Sequence, residues 1–201
     1  MQQNLFQIPE AHTPQIAGLK YISEFIDSAT EASLIAKIDE HPWLTDLKRR
    51  VQHYGWRYDY KARNVTPDLR IGELPDWLQT YAHQLQGLFS EMPDQVIINE
   101  YEAGQGIAAH IDCVPCFGKT ITSLSFGSAC VMDFAHSKTH EKTSIILEPR
   151  SLLALSSDAR YLWQHSIAAR KTDKINGTTI HRTRRISMTI PNAKPPAMLE
   201  E

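Results

Sequence analysis

A histidine and an aspartate, His110 and Asp112, are separated by one residue in the segment VIINEYEAGQGIAAHID. The hydrophobic pattern predicts two β-strands here, Val96 to Tyr101 and Ile107 to Asp112, joined by a turn that contains glycine. Strand side chains alternate between faces with a period of two, so His110 and Asp112 are expected on one face. Together they can bind a metal ion. A second histidine would complete the facial triad that leaves positions open on iron(II).

The second histidine is sought among the nine that the chain contains. His165 is favoured because it ends a predicted late strand, Ala159 to His165, which a barrel of two sheets would place beside the strand of His110. The His-x-Asp spacing alone is weak evidence, since a surface histidine before an aspartate that starts a turn has the same spacing. The residues alone therefore leave both interpretations open.

Arg185 begins a predicted C-terminal strand, Arg185 to Ile190, which also carries Ser187 and Thr189 at alternating positions. An arginine on a strand usually faces water, and one that faces the interior needs an anionic partner. The planar guanidinium fits a carboxylate through two parallel hydrogen bonds. A dicarboxylate co-substrate that chelates iron at one end and pairs with Arg185 at the other would use this arrangement.

The order of the predicted elements favours an α+β fold, a double-stranded β-helix (jelly roll) with N-terminal helices packed on one sheet. A capping-box pattern at Ser28 to Glu31 precedes a helix that ends before Pro42, and a second amphipathic helix spans Pro75 to Phe89. Short strands follow, of which the later ones are Thr120–Phe126, Ala129–Phe134, Thr143–Leu147, Ser151–Ser156, Ala159–His165 and Arg185–Ile190.

At 201 residues the chain is expected to form a single domain. A substrate-lid and helical part is expected at about 16–92, and a jelly-roll core at about 93–191. The connection from Ile167 to Thr183 is polar and contains Asn176-Gly177, a dipeptide that predicts a turn. No internal repeat interrupts this organisation.

The stretch Lys48 to Arg63, KRRVQHYGWRYDYKAR, combines cations with aromatic residues. The formal net charge of the chain is −2, so a nucleic-acid partner would need a local basic patch of this kind. One interpretation is a nucleic-acid lid, with Arg49 and Arg50 on phosphates and Trp56 and Tyr58 near bases. The other is a solvated hairpin whose aromatic residues pack on the core.

Three cysteines do not make a disulfide framework, and no apolar run approaches the ~20 residues that a membrane span needs. The N-terminus lacks the blocks of a signal peptide. We therefore expect a monomer in a reducing cytoplasm, with no membrane partner. Cys113-x-x-Cys116 and His136-x-x-x-His140 imitate a zinc site. Predicted strands between them argue against a zinc site, and two ordinary thiols are favoured over a redox pair beside the iron.

These features resemble the AlkB family of iron(II)- and 2-oxoglutarate-dependent dioxygenases. The resemblance is carried by the His-x-Asp pair, the late histidine and the Arg-x-Ser-x-Thr strand. The segments are INEYEAGQGIAAHID, TSLSFGSACVMDF, PRSLLALSSDARYLWQHSI, RRVQHYGWRYDY and LPDWL. They cover roughly Lys48 to Ile190. They are most similar to the branch that contains the dioxygenase domain of the animal tRNA wobble-uridine hydroxylase.

The resemblance implies that Fe(II), 2-oxoglutarate and O₂ are used to oxidise a modified base in nucleic acid, either RNA such as tRNA or alkylated DNA. Oxidative demethylation and side-chain hydroxylation are both open. The implied iron ligands are His110, Asp112 and His165. The implied co-substrate residues are Asn99, Tyr101, Arg185 and Ser187. Trp56 is expected near the target base, and Asp112 is expected within reach of Arg160.

The sequence departs from the family pattern at Pro191, where the family has a second arginine six positions after the first. Proline supplies neither a charge nor an N–H donor. Either Arg182 or Arg184 substitutes from a neighbouring position, or the iron alone holds that carboxylate of the co-substrate. The alternative function is a nucleic-acid-binding module in which turnover is weakened or lost.

Overall fold

The computed structural model describes residues 13–45, 47–175 and 177–195. It contains three helices, α1 (Ser28–Asp39), α2 (Asp76–Leu85) and α3 (Ser157–Tyr161), and short 3-10 turns at Pro67–Leu69 and Gln86–Leu88. The strands in chain order are β1 (Leu19–Ile22), β2 (Arg50–Tyr54), β3 (Val96–Tyr101), β4 (Ile107–His110), β5 (Phe117–Gly127), β6 (Cys130–His136), β7 (Lys142–Leu147), β8 (Leu152–Leu155), β9 (Trp163–Ile167), β10 (Thr172–Ile175), β11 (Thr178–His181) and β12 (Arg185–Ala193).

Two antiparallel sheets form the centre of the fold. The major sheet has six strands in the order β1-β8-β5-β12-β3-β2, and the minor sheet has four in the order β4-β9-β6-β7. Apolar side chains of β8 and of β6, β7 and β9 form one buried cluster, so the two sheets pack face to face. This arrangement confirms the predicted α+β jelly roll.

The strand β12 lies between β5 and β3, and its side chains alternate between two environments. Ile186, Met188 and Ile190 are buried in the cluster that also contains residues of the helices. Arg185 and Ser187 lie on the opposite face, toward the minor sheet. The period of two therefore sends the chemistry-bearing residues of this strand inward between the sheets.

The helices α1 and α2 cover the outer face of the major sheet through Leu34, Ile38, Leu78 and Leu85. This confirms the predicted packing of N-terminal helices on one sheet. The N-cap of α1 is Asp27, whose side chain accepts a hydrogen bond from the Thr30 backbone at 2.7 Å, rather than the predicted Ser28. Among the described residues, no helix is long and apolar enough to cross a membrane.

Two of the predicted strands have different bounds. The strand β4 ends at His110, so Asp112 follows the strand instead of lying on it. The predicted strand from Ala159 to His165 is wrong, because its first part is the helix α3 and only its end belongs to β9. Ala159 and Arg160 are both buried, at 1% and 2% exposure, and a helical turn buries neighbours that a strand would send to opposite faces.

The connection before β12 forms a hairpin of β10 and β11 rather than a simple loop. Gly177 occupies its turn with φ +82°, a conformation that favours glycine, whereas Asn176 lies outside the described residues. The Asp173 carboxylate, 1% exposed, accepts hydrogen bonds from Arg182 at 2.5 and 2.8 Å and from Arg170 at 2.7 Å. It also accepts from the Val131 backbone at 3.2 Å. The hydrogen bonds of Asp173 therefore anchor the β10–β11 hairpin to β6.

We predict that Asp173→Asn lowers the free energy of unfolding by about 3–5 kcal/mol, because it leaves a buried guanidinium without its counter-charge. Burial raises the pKa of Asp173, but Arg182 and Arg170 lower it more, so the folded-state pKa lies below the unfolded one. The contribution of ionised Asp173 to the free energy of unfolding is therefore complete above the pKa that Asp173 has in the unfolded chain. It is lost as the pH falls through the pKa of Asp173 in the folded protein. Urea unfolding at several pH values measures it, and a wild-type stability in Asp173→Asn contradicts this role.

Candidate active site

Three side chains that can hold one metal ion meet between the sheets. His110 on β4 pairs in register with His165 on β9, and their ring centres lie 4.4 Å apart. The Asp112 carboxylate lies 3.6 Å from Nε2 of His110 and 3.9 Å from Nε2 of His165. One ligand atom from each of the three lies within 4.8 Å of the others. The donor set of two imidazoles and one carboxylate is the facial triad of iron(II) sites.

The ring of His110 is oriented for ligation. Its Nδ1 lies 2.8 Å from the carbonyl oxygen of Ala108 and donates to it. In the neutral ring this fixes the tautomer that leaves the Nε2 lone pair free for a metal ion shared with the nearby Asp112 carboxylate. The strand end therefore supplies both the ligand and the group that orients it.

The ionisation of Asp112 and His165 also suits a cation. Burial raises the pKa of the Asp112 carboxyl, but His165 and His110 lower it more, to about 2. Burial lowers the pKa of His165, which keeps that ring neutral. Burial also lowers the pKa of His110, but the Asp112 carboxylate raises it more, so the result lies above the ordinary value. An ionised carboxylate and a neutral imidazole are the forms that bind metal.

Arg160 holds the segment that carries Asp112 in place. Its guanidinium donates to the carbonyl oxygens of Asp112 at 2.9 Å and of Cys113 at 3.1 Å, and the side chain is 2% exposed. It thus reaches the Asp112 backbone, while its charge also favours the ionised Asp112 side chain. The helix α3, which the sequence pattern missed, is what places Arg160 there.

A cavity of about 710 Å³ lies beside the three side chains. Its wall on the major sheet includes alternate residues of β3 and β12, namely Ile97, Asn99, Tyr101, Arg185, Ser187, Thr189 and Pro191. Every expected co-substrate residue therefore lines the cavity that contains the candidate metal ligands. The registers explain this, since Arg185 is opposite Tyr101 and Ser187 is opposite Asn99.

The Arg185 guanidinium is 4% exposed and has no carboxylate partner among the described residues. Its Nη2 donates to Ser125 at 2.9 Å, whereas its buried Nε has no hydrogen-bond partner. Burying an unpaired charge is costly. The cavity therefore offers a site for an anion, and a carboxylate suits the guanidinium fork.

Other polar groups line the same cavity, namely Tyr101 opposite Arg185 and, one pair further along the strands, Asn99 and Ser187. Burial raises the pKa of Tyr101, so its phenol keeps the proton and can donate to a carboxylate. The Oδ1 atom of Asn99 accepts from Arg49 at 2.8 Å, so the other polar group of its amide is a donor. The Ser187 hydroxyl lies 2.8 Å from that of Ser123. A 2-oxoglutarate dianion fits this donor set.

Neither of the arginines expected to replace the missing one reaches the cavity. Arg182 is buried on Asp173, and Arg184 pairs with Asp39 at 2.5 Å and Glu100 at 2.6 Å. Both are therefore held by carboxylates away from the metal ligands, and that expectation is corrected. Pro191 itself lines the cavity, beyond the last β12–β3 pair and before a break in the β12–β5 register. A proline is tolerated there because its missing N–H faces no strand partner.

The aromatic-basic stretch combines features of both interpretations. Arg49, Tyr58 and Tyr60 line the cavity together with Arg63. Tyr58 and Tyr60 also pack on each other, with ring centres 5.0 Å apart, and against the core cluster of Phe117. Tyr58 and Tyr60 therefore pack on the core, as the second interpretation expects, and also form part of the cavity rim. Tyr60 and Arg63 were not singled out, although the alternation of tyrosines at 58 and 60 was a signal for them.

Trp56 and Arg50 do not line this cavity, and their expected contacts with nucleic acid stay predictions. The Trp56 indole donates to Asp94 at 2.9 Å and lines a different pocket beside Arg70. Arg50 forms an ion pair with Glu100. Its partner Glu100 and the partner of Arg49, Asn99, are neighbours on β3 that face opposite sides of the sheet, so the two guanidinium groups lie on opposite faces.

The two cysteines that follow Asp112 are joined by a disulfide between Cys113 and Cys116, so the prediction of two ordinary thiols is wrong. Both sulfur atoms lie 3.4 Å from the carbonyl oxygen of Arg63, which brings this turn against the rim. His136 contacts Trp163 on the minor sheet instead of approaching them. Among the described residues, a zinc site of these cysteines with His136 and His140 is therefore not formed.

The sequence of this chain matches the family model of the 2OG-Fe(II) oxygenase superfamily over residues 19–190. The chain is 36% identical to an Arabidopsis thaliana protein named alkylated DNA repair protein ALKBH8 homolog, covering 87% of this chain and 58% of that protein. It is 38% identical to the Macaca fascicularis tRNA (carboxymethyluridine(34)-5-O)-methyltransferase ALKBH8, covering 87% of this chain and 27% of that protein.

Among solved structures, that of OsALKBH1 is similar in fold, with a TM-score of 0.66 and 14% identity over 87% of this chain and 96% of that one. The family match spans nearly all of the strands, including both histidines, the aspartate and Arg185 described above. The chain belongs to the 2OG-Fe(II) oxygenase superfamily and is an AlkB-like dioxygenase that uses Fe(II), 2-oxoglutarate and O₂.

Proposed function

We propose that this dioxygenase oxidises a modified base of tRNA. The observation that carries the proposal is the position of the candidate metal ligands, which share one cavity with an aromatic and basic rim. A base can enter such a cavity only after leaving the stack, and single-stranded loops of RNA offer such bases at low cost. The name of the macaque relative refers to a tRNA uridine. Alkylated DNA is the second candidate, which the name of the Arabidopsis relative favours.

In this proposal His110, Asp112 and His165 hold Fe(II), and Arg185 with Tyr101 holds 2-oxoglutarate. When bound, these groups and O₂ supply the oxidising chemistry, in which 2-oxoglutarate is decarboxylated to succinate and CO₂ and one oxygen atom enters a substrate C–H bond. Hydroxylation of a carbon-linked substituent leaves the hydroxyl in place. The same chemistry on an N-methyl group ends in formaldehyde and the free base.

The chain itself positions the reactants and limits access of water. Arg160 fixes the Asp112 backbone, and the Ala108 carbonyl fixes the His110 ring. Apolar residues also line the cavity, among them Ile97, Ile121, Met132, Leu153 and Leu155. A cavity of low polarity strengthens the electrostatic contacts made inside it.

The rim provides contacts for the nucleic acid. Tyr58 and Tyr60 present aromatic rings at the cavity, and base stacking on an aromatic residue is worth about 1–3 kcal/mol. Lys61 and Arg63 are exposed on the same segment and can contact phosphates. This local charge compensates for the acidic balance of the whole chain.

The substrate is tested by incubating total tRNA and alkylated DNA with the protein, Fe(II) and 2-oxoglutarate, followed by mass analysis of the released nucleosides. The proposal predicts an added oxygen, or a lost methyl group, on a tRNA nucleoside together with succinate. A change confined to DNA nucleosides would reject tRNA in favour of the second candidate. Nucleic-acid binding without succinate would support the binding module that Pro191 suggested.

We predict that Asp112→Ala and His165→Ala abolish Mn²⁺ binding and succinate formation without loss of the fold, because each removes one of three ligands. Calorimetric titration with Mn²⁺ and circular dichroism measure the two properties. The control is His140→Ala, since His140 is an exposed histidine of the turn after β6. Wild-type Mn²⁺ affinity in either ligand variant would refute the assignment.

We also predict that Lys61→Ala with Arg63→Ala weakens RNA binding and reduces its salt dependence by about one unit of slope for each phosphate that is no longer neutralised. Binding measured by fluorescence anisotropy at several salt concentrations tests this. The control is Lys20→Ala, an exposed cation on β1 at the opposite edge of the major sheet from β2. An unchanged affinity and slope in the double variant would exclude the rim as a phosphate-binding surface.

A further inference from the structure

We propose that Arg49 is a co-substrate-binding residue, which contacts the carboxylate of 2-oxoglutarate nearest to the metal ion and supplies the positive charge that Pro191 cannot. The sequence pattern had placed Arg49 on nucleic-acid phosphates. The contacts of its side chain point instead to the interior of the cavity.

Arg49 is held against the deep wall of the cavity. Its Nε donates to Asn99 Oδ1 at 2.8 Å, and Asn99 is 8% exposed. Its guanidinium carbon lies 5.4 Å from the ring centre of Tyr60 and 5.9 Å from that of Tyr101. Tyr101, 7% exposed, also contacts Arg185 at 5.7 Å. The guanidinium groups of Arg49 and Arg185 therefore both lie near the ring of Tyr101.

The charge of Arg49 is not neutralised by the protein. Its hydrogen bond to Asn99 goes to a neutral amide, and no carboxylate among the described residues forms an ion pair with it. Other arginines of the chain have carboxylate partners: Arg50 and Arg184 on Glu100, Arg170 and Arg182 on Asp173, and Arg150 on Glu24 and Glu31. Among the arginines that line the cavity, Arg63 is exposed, whereas Arg49 and Arg185 contact the inner wall without a carboxylate partner among the described residues. A dianion placed between them would satisfy both.

The position of Asn99 assigns Arg49 to the metal end of that dianion. The chain reverses direction between the end of β3 and the start of β4. Tyr101 and Ile107 lie next to this reversal, whereas Asn99 on β3 and His110 on β4 both lie further from it. Arg185 is opposite Tyr101, nearer the reversal. Because Arg49 donates to Asn99, its guanidinium lies on the metal side of Arg185.

A phosphate is a poorer partner for Arg49 than this carboxylate. Phosphates of a nucleic acid stay outside a cavity that a single base enters. Arg63, which also lines the cavity, is exposed and is the better placed cation for them. Arg182 and Arg184 are held by their own carboxylates, so neither competes with Arg49 for this role.

The test compares 2-oxoglutarate with 2-oxopentanoate, which has a methyl group in place of the distal carboxylate. Both are titrated into the full chain saturated with Mn²⁺, by calorimetry for the first and by displacement for the second. Arg49→Gln should weaken both acids by the same factor, about 10- to 100-fold, the loss of one charge-assisted hydrogen bond. Arg185→Gln should weaken 2-oxoglutarate only. Arg49→Lys should recover part of the affinity, since it keeps the charge.

The matched control is Arg50→Gln, the next residue along, whose guanidinium pairs with Glu100 on the other face. It should leave both affinities unchanged. The proposal is overturned if Arg49→Gln binds 2-oxoglutarate like the wild type. It is also overturned if the loss is confined to 2-oxoglutarate, because Arg49 would then serve the distal carboxylate. A direct titration of Mn²⁺ confirms saturation in every variant, so a loss of metal is not mistaken for a loss of co-substrate.

Discussion

The guanidinium of Arg185 is buried between two sheets and lacks a carboxylate among the described residues. A buried charge without its partner is among the most costly arrangements in a protein. Arg185 stays buried because β12 is a central strand. It pairs with β5 on one side and with β3 on the other, so the strand cannot rotate to expose this side chain. An anion from solution can supply the partner. The shape and polarity of the cavity follow from this requirement.

The two sheets divide the chemistry between them. The minor sheet and the turn after β4 contribute the metal ligands, and the major sheet contributes the groups that suit a dicarboxylate. Each group is placed by strand register: His110 opposite His165, and Arg185 opposite Tyr101. A slip of one residue would turn any of these side chains to the other face. The helices on the outer face stabilise the major sheet and so protect that register.

Much of this arrangement could be predicted from the sequence, because period-two alternation marks the strands and the spacing of His110 and Asp112 marks the site. The fold and the grouping of the expected residues around one cavity followed from these patterns and from the family resemblance. Local periodicity could not show that Arg160 lies on a short helix, since five residues carry no periodic signal. It also could not separate Arg49 from Arg50, whose side-chain partners Asn99 and Glu100 lie on opposite faces of β3.

The partners of charged residues are likewise invisible in the sequence. Arg182 and Arg184 looked available for the co-substrate, but Asp173 and Glu100 hold them through contacts that join distant parts of the chain. Cys113 and Cys116 form a disulfide although the composition favoured ordinary thiols. Such pairings depend on contacts between residues that are distant in sequence. Local sequence patterns carry no information about these contacts.

We propose that Arg185 is kept unpaired for the distal carboxylate of 2-oxoglutarate. Thermal unfolding of the wild type and of Arg185→Met, each with Mn²⁺ and with or without 2-oxoglutarate, tests it most directly. Without co-substrate, Arg185→Met should be at least as stable as the wild type, because it removes an uncompensated buried charge. With co-substrate at 100 times its dissociation constant, the wild type should gain about 2.7 kcal/mol and the variant much less. A destabilised variant that still gains the full amount from 2-oxoglutarate would contradict the account.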